Sequence, residues 1–387
     1  MTEPVAQERG SRSWRPRVKP EHRPYRTVEG HVRIGSVIHG IGAEIEDPDG
    51  WVWALAQALD GARTPPEIAG EIAAAHPGLT ADDVLGAVAD LAEAGFLEDA
   101  AASVPPELSA RDVERYGRGV ALLRWMDRSP RVESWGSQLS LTRARVLLVG
   151  LGGSGGIVAQ GLVASGVGHL HCVDPDVVEL SNLNRQILYR EQDIGRPKVA
   201  AALESLRALN SDVEVTASRA ELRGPEDVCE LLRQEGPNAE SPDLLVLSAD
   251  QPPAIRRWTN RACLDTGTPW VEGGYRGPYV TVGSYAPGRG ACFECHRDQD
   301  AAARDLRLGP GQDEDSVSPR MDWSPVNAAT ATLSGGLLLH AALSALTGIP
   351  QTEPGFRYGI NLMMPGEPEL ERYPRRSDCP ACGSVTP

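Results

Sequence analysis

The residues best suited to chemistry crowd into one stretch, VGLGGSGGIVAQGLVASGVGHLHCVDPDVVELSNLNRQILYREQDIGRPK, at 149–198. Gly150, Gly152, Gly153 and Gly155 follow the apolar run RVLLV and open a helical pattern. Glycines there let the backbone come close to phosphate oxygens, whose charge a helix N-terminus favours. Asp174 ends the next strand-like run, where an acidic side chain accepts hydrogen bonds from ribose hydroxyls. Up to that point a dinucleotide would fit as well as a mononucleotide. Asn182, Arg185, Gln186 and Lys198 then follow. Two fixed cations and two amides suit a triphosphate, on whose oxygens charge builds during displacement. A nicotinamide site has no need of them.

A second set is made of sulfur. Cys292-Phe-Glu-Cys295 and Cys379-Pro-Ala-Cys382 are two C-x₂-C pairs, each able to form one edge of a tetrahedral thiolate site. Their separation is longer than in compact zinc modules, so redox dithiols or disulfides are the competing reading, one that a reducing cytosol disfavours. Cys172, Cys229 and Cys263 sit in apolar surroundings and read as core.

These residues must be positioned by a scaffold, and the pattern from Ala144 onward predicts it. RVLLV, HLHCV, VEVTA and DLLVLS are short apolar strands. GGIVAQGLVASG, KVAAALESLRAL, PEDVCELLRQ and PAIRRWTNRACLD are the helices between and after them. That alternation predicts an α/β fold with a Rossmann-like, mainly parallel sheet and helices on both faces. Asp250 lies just past LLVLS, at the carboxyl edge where open α/β sheets bind ligands, and also where it can cap the helix PAIRRW. YVTVGSYAPG, FRYGINLMMP and EPELERYP add strands, antiparallel in our reading. Residues 300–322 are polar and carry Gly and Pro, as a mobile loop over the site would. The run Ala328–Ile349 has the length of a membrane span, but its small residues and His340 predict a buried core or dimer-interface helix.

The glycine loop and the string SNLNRQ–(x₁₁)–K resemble the ThiF/MoeB-type adenylyltransferase domain, which ubiquitin-activating enzymes share; the resemblance covers about residues 112–387. It implies that Gly150, Gly152, Gly153, Gly155, Asp174 and Asp176 hold ATP, with ribose on Asp174. Asn182, Arg185, Gln186 and Lys198 would handle phosphates, and Asp250 Mg²⁺. Cys292, Cys295, Cys379 and Cys382 would hold a structural zinc. Arg118, in ERYGRG, matches an arginine that reaches into the partner subunit's site, which implies a homodimer. No cysteine lies between Cys295 and Cys379, so the thioester or persulfide step of some relatives has no nucleophile in that loop.

The first part of the chain is organised differently. Residues 1–25 are rich in Arg, Lys and Pro and read as a flexible basic arm. Residues 26–100 read as a winged-helix-like α+β domain: VRIGSVIHGIGAEIED as short strands broken by glycine turns, then helices near Trp51–Leu59, Pro65–Ala75 and Ala81–Ala94. Residues 101–143 form a linker and helices carrying Arg118, and 144–387 the ATP-binding domain. The segment 26–100 resembles PqqD-like leader-peptide-recognition domains, and the whole chain resembles microcin-C-type peptide-adenylating enzymes.

Charge and composition narrow the partners. The net charge of −15 over 387 residues argues against nucleic acid. No secretion signal pattern is seen at the start, and a cytoplasmic protein with no membrane contact is expected. The expected function is ATP-dependent adenylation of a carboxylate on a ribosomally made precursor peptide bearing a leader. Two alternatives stand beside it: a non-catalytic leader-binding partner of an azole-forming cyclodehydratase, and an activator of a sulfur-carrier protein ending in Gly-Gly.

Overall fold

The computed structural model describes residues 14–233, 241–304, 306–312, 321 and 325–383. The chain forms two compact units, one running to Leu139 with Ile349–Gln351 added, the other holding Ser140–Gly348 and the chain from Thr352 onward.

In the first unit, β1 (Pro16–Val18) pairs antiparallel with β5 (Leu97–Asp99), while β2 (Tyr25–Arg26), β3 (Val32–Ile34) and β4 (Ala43–Ile45) make a three-stranded antiparallel sheet in that order. Between β4 and β5 come α1 (Trp51–Ala58), α2 (Pro65–Ala75) and α3 (Ala81–Glu93). The starts read from the sequence are real caps. The Glu67 carboxylate accepts the Thr64 N–H at 2.8 Å, and that of Asp83 accepts the Thr80 N–H at 2.9 Å while the Asp83 N–H returns to the Thr80 hydroxyl. Ile34, Leu55, Ile68, Val84, Val88, Phe96 and Leu97 form the core.

The flexible arm expected over residues 1–25 needs correcting. Residues 1–13 lie outside the described residues, but 14–25 are part of the unit. Val18 packs in the core, and Lys19 is buried, its ammonium donating to the Asp127 carbonyl at 2.9 Å at the end of α4 (Ala110–Met126). A cation among the last carbonyls of a helix satisfies groups that have no intrahelical partner. Basic residues and prolines suggested solvation; here they cap a helix and edge a sheet. A shorter helix, α5 (Gly136–Arg143), follows.

The second unit is built on eight strands. β6 (Arg145–Val149), β7 (His169–Val173), β8 (Glu214–Ser218), β9 (Leu244–Leu247) and β10 (Trp270–Arg276) are parallel; β11 (Tyr279–Tyr285), β12 (Phe356–Asn361) and β13 (Glu369–Arg372) continue antiparallel from β10. The order is β13-β12-β11-β10-β9-β6-β7-β8. α6 (Gly153–Ala164), α7 (Lys198–Leu209), α8 (Pro225–Arg233) and α9 (Ile255–Thr266) are the crossovers, followed by α10 (Phe293–Ala303) and α11 (Ala328–Thr347).

β6, β7 and β9 are buried on both faces, so they read as apolar runs rather than alternating ones. Val146, Leu148, Leu170 and Val246 pack with α6, α7 and α11. Leu147, Val149, Leu245, Leu247 and Trp270 pack on the other face with α8 and α9. α11 is a core helix. Its Leu338 and Ala342 are buried, and a Cβ on Gly335 would lie 2.5 Å from that of Ile157 on α6. It is the one described helix long and apolar enough to cross a membrane. Residues 300–303 of the expected loop end α10, and 305, 313–320 and 322–324 lie outside the described residues. Cys172 and Cys263 are buried as expected, while Cys229 is only half-buried.

Candidate nucleotide site and metal centre

β6 continues to β7 on one side and is flanked by β9 on the other, so the chain reverses direction in the sheet between β6 and β9. Crevices at such points, outside the carboxyl ends of the strands, are where open α/β sheets bind ligands. The glycine turn after β6 and the segment Ser248–Asp250 after β9 meet there. Gly150 has φ +96°, and a Cβ on it would stand 2.8 Å from the Ala249 nitrogen. A Cβ on Gly155 would be 2.0 Å from the Gly150 carbonyl oxygen. These two glycines therefore let the turn close on itself and on the neighbouring strand. Gly152 differs: nothing lies within 4 Å of its Cβ position. It begins α6, whose first turn has no acidic residue and no side-chain cap. The first amides of a helix have no intrahelical acceptor, as a phosphate site requires. Gly153 is close to Ala331, the Tyr275 hydroxyl and Arg185.

The loop after β7 holds the acids. Asp174 is buried, and both its oxygens are committed: one accepts the Leu151 N–H at 2.7 Å, the other the Asp176 N–H at 2.9 Å. It ties the glycine turn to the acidic loop. Asp176 is the open carboxylate, 60% exposed, with Lys198 Nζ at 2.8 Å. Lys198 is buried and is the first residue of α7.

Asn182 is buried and its Oδ1 accepts the Glu179 N–H at 3.1 Å, so it shapes the loop. Arg185 donates to the Ser181 carbonyl at 2.9 Å, yet its buried Nε has no partner, nor has the buried Oε1 of Gln186. Unsatisfied buried polar atoms call for a missing partner. Asp250 is exposed at the end of β9, within electrostatic reach of Arg256 and Tyr275. Burial raises the Tyr275 phenol, and the Arg185 guanidinium opposes that rise.

The structure thus places the four glycines, Asp174, Asp176, Arg185, Lys198 and Asp250 at the carboxyl ends of β6, β7 and β9, with Asn182 and Gln186 in the loop after β7. Arg118 belongs to the first unit, exposed on α4. Sequence reasoning missed Tyr275 and Arg256. A tyrosine and an arginine inside a strand and a helix carry no local signal; only their place at the ends of β10 and α9 reveals them.

The four paired cysteines converge. Their sulfurs lie within 4.8 Å of one another, all buried, with Cys292 Sγ 3.8 Å from Cys379 Sγ and Cys295 Sγ 3.5 Å from Cys382 Sγ. Zn–S bonds of about 2.3 Å in a tetrahedron put sulfurs about 3.8 Å apart, so the cluster fits zinc. The Arg376 N–H points at Cys295 Sγ and the Cys295 N–H at Cys292 Sγ, the partners thiolates need. Burial pushes the Cys295 thiol up to about 11 and that of Cys292 higher still, whereas Cys379 is lowered, its backbone partners at Cys382 and Ala381 outweighing burial.

Comparison with known proteins agrees with this geometry. The model of the ThiF family matches residues 125–381. The sulfur carrier protein adenylyltransferase of Thermus thermophilus is 32% identical over 282 residues, 70% of this chain and 91% of that protein. The molybdopterin-synthase adenylyltransferase of Escherichia coli is 33% identical over 191 residues, 49% of this chain and 70% of that one. The pig adenylyltransferase and sulfurtransferase MOCS3 is 32% identical over 72% of this chain, which spans only 56% of that relative's length. Among solved structures, E. coli MccB with ATP superposes at a TM-score of 0.69 and 21% identity, over 95% of this chain and 99% of that one. MccB with MccA-N7isoASN gives 0.70 at 21% identity over 96% and 100%.

Proposed function

The chain belongs to the ThiF family, and on that premise we propose that it adenylates a carboxylate using MgATP. The observation that carries this reading is the convergence at the glycine turn: an uncapped α6 start, Asp174 bonded to the turn and to the Asp176 loop, the Asp176–Lys198 pair, Arg185 against Gly153, and Ser248–Ala249 of the Asp250 segment against Gly150. In this reading Asp174, whose oxygens can each accept a second hydrogen bond, takes the ribose hydroxyls, with the exposed Asp176 beside it. Arg185 and Lys198 take the phosphates. Asp250 would hold Mg²⁺, which neutralises phosphate charge when bound. A substrate carboxylate oxygen attacks the α-phosphorus, the bond to the bridging oxygen breaks, and pyrophosphate leaves. A carboxylate is already ionised at neutral pH, so the step needs no general base. Arg118, exposed on α4, would serve the site of a second copy in a homodimer. The cysteine cluster would hold a closed structural zinc.

For the substrate we favour a precursor peptide with a leader, handled in the cytoplasm. The fold likeness to MccB runs over 95% of the chain and so takes in the first unit, where β4 is an outer strand of its sheet and can accept an added strand. The sulfur-carrier reading stays in play because of the 32% identity to the Thermus enzyme. ATP–pyrophosphate exchange decides between them. Exchange driven by a leader-bearing peptide supports the first, and exchange driven by a Gly-Gly-ending carrier protein the second. Tight leader binding with no exchange would leave the non-catalytic partner.

A further inference from the structure

Resting on the adenylation reading, we infer that Arg256 receives the carboxylate that attacks ATP, with Glu272 as its positioning residue. β10 overhangs β9. Glu272 registers with Leu247, the last residue of β9, and β10 continues to Arg276 beyond it. Arg256, near the start of α9, lays its guanidinium along this overhang, with Nη2 3.5 Å from where a Cβ on Gly274 would be. Its Nε donates to Glu272 Oε2 at 2.9 Å. Among the described residues no hydrogen bond is recorded for its two terminal nitrogens, and the side chain remains 28% exposed. The fork thus lies against Gly274 on the part of β10 that runs past β9, within electrostatic reach of Asp250.

The side of the sheet matters. The groups assigned to phosphate lie with α6 and α7 on one face: Arg185 next to Gly153, and Lys198 opening α7. Arg256 comes from α9, which packs on the other face. An in-line attack needs the nucleophile opposite the leaving pyrophosphate, and bringing a carboxylate to a triphosphate needs a cation on the carboxylate's side. Arg256 is the cation placed there. Glu272 is 2% exposed and registers across Gly283 with Arg357 on β12, so it is held between two arginines and fixes the fork. Once the adenylate forms, the remaining acyl oxygen stays in reach of the same donors, and no proton changes hands.

The test uses the full-length chain and compares binding of three probes: a non-hydrolysable ATP analogue, 5′-sulfamoyladenosine, and 5′-O-(N-acetylglycyl)sulfamoyladenosine, which adds an acyl carbonyl. The wild-type chain should bind the acylated compound about tenfold or more tighter than the plain sulfamate, the range of a hydrogen bond to a charged group. Arg256→Gln should erase that gap while leaving affinity for the ATP analogue within about threefold. Arg256→Lys should restore part of the gap, and Glu272→Gln should shrink it. A gap that survives Arg256→Gln, or none in the wild type, overturns the assignment alone. Loss of ATP-analogue affinity in parallel with the gap makes Arg256 a phosphate or folding residue and also overturns it. A wild-type chain that binds no ATP analogue sinks the adenylation reading with it.

Discussion

Lys198 and Asp176 are joined twice: the ammonium meets the carboxylate at 2.8 Å, and the Lys198 N–H donates to the Asp176 carbonyl at 2.9 Å. The first residue of α7 is thus fastened to the loop after β7. The pair has one half-exposed member, so its contribution to stability is about 1 kcal/mol or less. In the proposed adenylation the pair holds a cation and a carboxylate in place for the nucleotide. Lys198→Ala is expected to lower ATP–pyrophosphate exchange by about 10²–10³-fold, as removal of one preorganised electrostatic group does, with little change in melting temperature. Asp176→Asn should chiefly raise the KM for ATP. Equal losses of stability and activity would show the pair to be structural.

The glycine turn yields a contrast between two single methyl groups. Gly155→Ala drives a Cβ to 2.0 Å from the Gly150 carbonyl oxygen, a backbone atom that cannot swing away. It should cost about 1–3 kcal/mol and lower the melting temperature. Gly152→Ala meets nothing within 4 Å and sits at φ −74°, which alanine adopts freely. Stability should hold, while ATP binding weakens because the methyl occupies phosphate space. Thermal unfolding and a nucleotide titration on the two variants give opposite patterns if the crevice holds phosphate, and the same pattern if the glycines serve packing alone.

The four cysteines should carry about one zinc per chain by elemental analysis. Cys295→Ser should lose it and unfold at markedly lower temperature, since structural zinc binding is folding free energy. Because burial raises the Cys295 thiol to about 11, metal binding must release protons, so zinc affinity should climb with pH between 6 and 8. A protein that is metal-free as purified, and indifferent to Cys295→Ser, contradicts the zinc assignment.

The order in which these features could be read from the sequence has a physical basis. The parallel strands were legible because burial on both faces turns RVLLV and DLLVLS into unbroken apolar runs, and caps such as Thr80–Asp83 announce helix starts with local chemistry. The glycines, Lys198 and the cysteines were legible because spacing along the chain mirrors spacing in the fold. Asp174 was legible, but its second task was not: only the structure reveals that its oxygens also accept the amides of Leu151 and Asp176. Lys19 and Val18 were read as solvated arm, since pairing with a strand eighty residues away leaves no local trace. Arg256 was invisible for the same reason, its partner Glu272 lying on the next strand.

The first unit carries a titration of its own. His22 ends a single helical turn and is 1% exposed, its ring edge-on to Phe96 at 5.4 Å and its Nδ1 without a partner. Burial, then the neighbouring Lys19 ammonium, pushes the imidazole down from 6.5 to about 4. The folded form therefore stays neutral while the unfolded chain takes up a proton below about pH 6.5. More protons on the unfolded side mean that stability falls with pH across that interval, is complete above it, and loses nothing further from this group below about 4. Glu98 acts lower. Burial alone would raise it, but Ser134, Arg17 and Arg124 hold it below its ordinary 4.5, so its contribution disappears only beneath that value. Urea unfolding followed by the fluorescence of Trp51, Trp53 and Trp125 should show stability declining from pH 6.5 to 4. In His22→Gln that slope should flatten, and an unchanged slope would assign the pH dependence to other groups.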